Sequence, residues 1–205
     1  MVIKESSDEL NPAVVITCAP VAHPRAARSP KDYLALTIAT CGVGYLPLAP
    51  GTWGSLIGVG LYLLFRGTLL NGLNGMARLG YWPQSQISYA FVVFQLLGIF
   101  IITLVGVWAA SRTEKLSGNK DPGKVVIDEV AGQLIALTAI PIGLESWWLI
   151  LVAFLLFRFF DIIKPYPARQ LESLEAGLGI MSDDIVAGMY AALVVAVAVV
   201  VMWFI

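Results

Sequence analysis

Four carboxylates open two apolar runs of this chain. Asp128 and Glu129 stand in VVIDEVAG (125–132), Asp183 and Asp184 in SDDIVAG (182–188). Small residues follow each pair, Ala131 and Gly132 in one, Ala187 and Gly188 in the other. A fifth acid, Asp161, lies between Arg158 and Lys164 at spacings of three, which a helix stacks along one face. Acids in the first turn of a helix complement its dipole, and one such pair would need no other explanation. Five carboxylates able to converge are different, because clustered like charges repel and some protonate unless a cation intervenes. Oxygen donors without His or Cys suit a hard divalent ion, Mg²⁺ above all. Asp128, Glu129, Asp161, Asp183 and Asp184 are therefore the candidate metal ligands. Arg158 and Lys164 around Asp161 would make an anion clamp. The plainer reading is a self-neutralising ladder, with Lys164 reaching toward lipid headgroups.

Two further stretches could meet phosphate. APGTWGS (49–55) places Thr52 to cap a helix whose first-turn N–H groups would bind an anion, although no Gly-Lys-Ser/Thr follows as in a Walker loop. DPGK (121–124) reads as a turn, with Lys124 one helical turn before Asp128. The single histidine, His23, and the two cysteines, Cys18 and Cys41, leave no histidine-based phosphoryl chemistry, no Cys-x5-Arg nucleophile and no zinc site. Cys41 is expected only to pack.

The elements that must position these groups follow from composition. The 205 residues are 58% hydrophobic and 13% charged, whereas a soluble domain carries about 25% charged residues. This predicts one integral membrane domain over 33–205, after a disordered cytoplasmic tail at 1–32 that is polar and proline-rich. Apolar segments fall at 52–66, 87–111, 125–143, 146–163 and 184–205. The second, fourth and fifth have full membrane length, the third qualifies if its acids sit among headgroups, and the first is short. Residues 33–48, broken by Gly42, Gly44 and Pro47, read as a re-entrant or interfacial piece. The expected fold is all-α, a polytopic bundle of about five transmembrane helices plus that N-terminal segment. The small residues after each acid pair would let two helices pack closely. Trp147, Trp148 and Trp203 are expected in the interfacial belt.

Segment polarity then gathers the motifs. The first, third and fifth segments begin at them and the second and fourth end at them, so antiparallel spans put all of them on one side. Eleven of the thirteen Lys and Arg residues fall on that side, leaving Arg66 and Arg78 on the other. By the positive-inside rule the motif side is cytoplasmic.

Taken together, PLAPGTWGSL (47–56), DPGKVVIDEVAG (121–132), FRFFDIIKPYPAR (157–169) and GLGIMSDDIVAG (177–188) resemble, in order and spacing, the phosphatidylglycerophosphatase A family. The resemblance runs from about residue 40 to 205. It implies a Mg²⁺-dependent lipid phosphatase of the bacterial cytoplasmic (inner) membrane that converts phosphatidylglycerophosphate to phosphatidylglycerol and inorganic phosphate. The family's acidic motifs carry over onto Asp128, Glu129, Asp161, Asp183 and Asp184, with Arg158 and Lys164 beside them. Relatives often have Gly-Gly where this chain has Ala176–Gly177.

Phosphomonoester hydrolysis needs in-line attack and neutralisation of the phosphoryl oxygens. Arg158, with Lys164 or Lys124, would supply the neutralising charge. One carboxylate would activate water or attack phosphorus directly, and both routes stay open. No nucleic-acid partner is implied, and the oligomeric state is left open. A cation transporter is the rival reading, but it wants acids near the bilayer midplane and away from basic residues. A phosphatidyltransferase using a CDP-alcohol would carry its spaced aspartates within one helical stretch, and none is present.

Overall fold

The computed structural model describes residues 28–80, 83, 86–142, 144 and 146–204. Helix α1 (Pro30–Thr40) and a single 3-10 turn (Val43–Tyr45) precede α2 (Pro50–Arg78) and α3 (Ile87–Ser117). Then come α4 (Ile127–Leu137), α5 (Trp147–Ile163), the one-turn α6 (Ala168–Leu171) and α7 (Ala176–Phe204). No strand occurs among the described residues. Most of the expected tail, with Cys18 and His23, lies outside them. Its last three residues open α1.

Three helices, α2, α3 and α7, with 29, 31 and 29 residues, are long and apolar enough to cross a membrane. That is fewer than the expected five. The first segment turns out longer than its apolar run, because α2 continues through Arg66 to Arg78. Arg66 is thus not a loop residue of the far side. It is buried within α2, donates to the Tyr62 hydroxyl and, at 3.2 Å, to the Pro141 carbonyl, and lies 5.5 Å from the centre of the Phe91 ring. The third segment turns out shorter. Its helix, α4, has 11 residues, about 16 Å of rise, and stops ahead of Pro141. With 17 residues, α5 is also below the length of the other three.

Short as it is, α4 occupies the middle of the bundle. Val130, Ala131, Leu134 and Leu137 are buried against α2, α5 and α7, and the core continues through Leu149, Ala153 and Val195. Around it, α2, α3, α5 and α7 expose Leu64, Val93, Phe100, Leu155 and Val197, the outward face that a hydrocarbon layer would cover. Trp147 and Trp203 are exposed at the start of α5 and the end of α7, while Trp148 packs against the core instead.

Residues 33–48 fold as α1 and the 3-10 turn. Asp32 ties α1 to α3 by accepting from Arg112 Nε at 2.6 Å and from the Ser29 N–H at 2.7 Å. The end of α1 steadies the entry to α4, since Val126 donates its N–H to the Ala39 carbonyl at 2.8 Å. Cys41 closes α1 and packs against the core.

Candidate active site

The first turn of α4 carries Asp128 and Glu129, the last turn of α5 carries Asp161, and the early turns of α7 carry Asp183 and Asp184. What brings them together is the crossing of α4 and α7. A Cβ on Gly132 would stand 2.6 Å from the Asp184 carbonyl oxygen and 2.4 Å from the Phe157 ring. Only a residue without a side chain fits there, which is the close approach expected of the small residues.

All five acids line one cavity of about 630 Å³. Asp128, Glu129 and Asp184 each offer an oxygen within 4.8 Å of the others. Asp128 Oδ1, Glu129 Oε2 and Asp183 Oδ1 are buried with no hydrogen-bond donor. Buried acceptors without donors are costly, and a divalent cation would satisfy them, so this donor set fits a hard metal ion. Asp161 lies 2.7 Å from Arg158 Nη1, although Arg158 itself is not among the cavity-lining residues. The contact pairs charge without aligning an N–H on the carboxylate, so that Nη1 stays without an acceptor. The start of α2 closes over this pair. A Cβ on Gly51 would stand 2.3 Å from Glu129 Oε1 and 3.0 Å from Arg158 Nη1.

Three expected positions are arranged differently. Thr52 does not cap α2, whose N-cap is Ala49; the Thr52 N–H goes to the Ala49 carbonyl at 2.9 Å, and Thr52 is not among the cavity-lining residues. Lys124 stays in the loop before α4 with its ammonium 6.0 Å from the centre of the Tyr45 ring, and does not line the cavity either. Lys164 leaves the ladder with Arg158 and Asp161, because the helix ends there in a left-handed turn (φ 48°) before Pro165. Its ammonium pairs with Asp183 at 2.7 Å and Glu172 at 3.2 Å. Partial burial pulls the Lys164 pKa down, but these two partners outweigh it and hold the ammonium above the ordinary lysine range.

Two cations not singled out from the sequence line the cavity, Lys120 and Arg169. Both sit on short or irregular segments, where helical spacing gives no signal. The one available hint was that Arg169 closes the FRFFDIIKPYPAR stretch. Ala176, also on the wall, adopts φ 53°, a left-handed conformation that favours glycine.

A helical bundle with three membrane-length helices, its acids gathered in one cavity and one of them paired with an arginine, has the features of a membrane-associated enzyme. Comparison with known proteins specifies it. The pattern of the family Phosphatidylglycerophosphatase A matches residues 36–199, and the chain belongs to that family. It is a phosphatase. A Haemophilus influenzae phosphatidylglycerophosphatase A is 42% identical over 155 residues, covering 75% of this chain and 81% of that one. Its Escherichia coli counterpart is 36% identical over 152 residues, or 74% of each chain. A Bacteroides thetaiotaomicron protein, named provisionally as a phosphatidylinositol-3-phosphatase, is 36% identical over 161 residues, covering 77% of this chain and 87% of that one. No solved structure matches the chain.

Proposed function

We propose that this chain hydrolyses the terminal phosphomonoester of phosphatidylglycerophosphate, giving phosphatidylglycerol and inorganic phosphate. The observation that carries the reading is the cluster of Asp128, Glu129 and Asp184, with undonated oxygens on Asp128 and Glu129 and with Arg158 paired to the adjoining Asp161. Such a site accepts a cation and a phosphate side by side. The names of the two phosphatidylglycerophosphatase relatives support the lipid.

Mg²⁺ held by Asp128, Glu129 and Asp184, with Asp161 and Asp183 adjoining, would polarise the phosphoryl group and offset its charge. The chain's own groups do the rest. Arg158 grips two non-bridging oxygens with its planar fork. Asp161 holds that fork in place. A carboxylate free of the cation takes the proton of the attacking water or itself attacks phosphorus. Lys164 acts through Asp183 rather than on the phosphate. The cavity faces the cytoplasm of the bacterial inner membrane, as the positive-inside asymmetry supports after Arg66 is removed from the far side. With five acids in one end cavity, the transporter reading loses its ion path.

The test is phosphate release from phosphatidylglycerophosphate in mixed micelles, with EDTA and after Mg²⁺ is restored. Phosphatidylinositol 3-phosphate is assayed in parallel. Release that EDTA abolishes and Mg²⁺ restores supports the proposal. No release with Mg²⁺ present sinks it, and preference for the inositol lipid corrects the substrate.

A further inference from the structure

The cavity is larger than its acidic floor requires. Taking roughly 30 Å³ for each water-sized group, a phosphate, a cation and a few waters need on the order of 250 Å³. The cavity measures about 630 Å³. Its floor is formed by Asp128 and Asp184, both buried, while Lys120 and Arg169 are exposed on its wall. Carboxylates outnumber cations along that wall, and the remaining lining cation, Lys164, is engaged by Asp183 and Glu172. Among the described residues, neither Lys120 nor Arg169 forms an ion pair. They are the two lining cations left to meet a ligand.

The substrate offers a second anion. Phosphatidylglycerophosphate carries its phosphomonoester on a glycerol whose other end is a phosphodiester, three carbons away. With the monoester on the floor, the diester must lie toward the mouth. We propose that Arg169 and Lys120 form a subsite for this phosphodiester and thereby select lipids that carry both phosphates. The inference rests on the substrate reading above. Arg169 presents a fork to the two non-bridging diester oxygens, and Lys120 adds a point charge. The product retains the diester, so the same subsite holds phosphatidylglycerol after phosphate leaves.

Two product inhibitors report the two positions separately. Phosphatidylglycerol carries only the diester, and inorganic phosphate resembles only the monoester. In detergent micelles of fixed lipid fraction, Arg169→Ala should raise Ki for phosphatidylglycerol about tenfold, as expected for loss of a charge-assisted bidentate contact. Ki for inorganic phosphate should move by less than about twofold, since Arg158 is intact. KM for phosphatidylglycerophosphate should rise more than kcat falls, because the contact is made in ground and transition states alike. Arg169→Lys should fall between, and Lys120→Ala should show the same pattern more weakly. Equal weakening of both inhibitors would overturn the proposal by making Arg169 a prop of the whole cavity. So would unchanged inhibition in the variants, or a wild-type enzyme that phosphatidylglycerol does not inhibit. A wild-type enzyme that releases no phosphate from phosphatidylglycerophosphate instead removes the substrate reading, and that shows before any variant is made.

Discussion

The carbonyl oxygen of Gly132 lies 2.4 Å from the point that a Cβ on Gly188 would occupy. Gly132 follows Asp128 by four residues, and Gly188 follows Asp184 by four. The crossing of α4 and α7 therefore sits one turn below both acids and sets the distance between them. Gly188→Val should push the helices apart, costing about 1–3 kcal/mol by overpacking, and reduce turnover at least tenfold. Gly67 has open space around its Cβ position, so Gly67→Ala should be silent in activity. Phosphate release and thermal melts of the purified variants check both. Full activity in Gly188→Val would mean the crossing does not position the acids.

Asp128→Asn, Asp161→Asn and Asp184→Asn should each nearly abolish turnover while leaving the protein folded in the membrane. Asparagine keeps the shape and loses the charge that a cation or Arg158 requires. A variant retaining substantial activity at saturating Mg²⁺ would lose its assigned place in the site.

Arg158→Lys keeps the charge beside Asp161 but loses the fork. A bidentate hold on phosphate predicts a fall in kcat/KM of tenfold or more, about 1.4 kcal/mol or above. If Arg158 only balances Asp161, lysine should substitute almost silently. Steady-state kinetics at matched expression decide between the two.

Lys164→Met removes the partner of the buried Asp183. Leaving that carboxylate unpaired should cost about 1–3 kcal/mol, seen as a lowered Tm, with little change in KM. A raised KM at unchanged Tm would instead place Lys164 on the substrate.

Cysteines introduced at Ser117 and Ser173 should react only with reagents that reach the cytoplasm, and one at Gly80 only from outside. Ser117 ends α3 and Gly80 follows α2, so the three positions bracket the membrane-length helices. Labelling of Ser117 and Ser173 from opposite faces would contradict the cavity they flank.

The acids were legible because they stand where apolar runs start or stop, and alternating helix direction brings such ends together without any knowledge of packing. The glycines below them were legible as well, at a fixed spacing from each pair. The span of α2 was not, because a charge ends an apolar run on paper. One of the partners that accommodate Arg66, the carbonyl of Pro141, is 75 residues away. Nor could helical periodicity foresee that Lys164 would turn out of its ladder, since the left-handed turn is a property of the helix end. Lys120 and Arg169 escaped because loops and one-turn helices carry no periodic signal. The 33–48 segment showed its breaks in sequence, but not Asp32, whose bond to Arg112 anchors it.

The brevity of α4 has one more consequence. A bilayer that thickens or thins acts on a spanning helix through both of its ends, and the helix answers by tilting. At about 16 Å, α4 cannot touch both surfaces of a hydrocarbon layer about 30 Å thick. Its depth is set by protein instead, through Val126 on the Ala39 carbonyl at one end and Arg66 on Pro141 beyond the other. Asp128 and Glu129 thus ride at a height that the lipids do not dictate. The long helices α2, α3 and α7 meet the lipid, and a change in acyl-chain length reaches Asp128 and Glu129 only through the way those helices pack against α4.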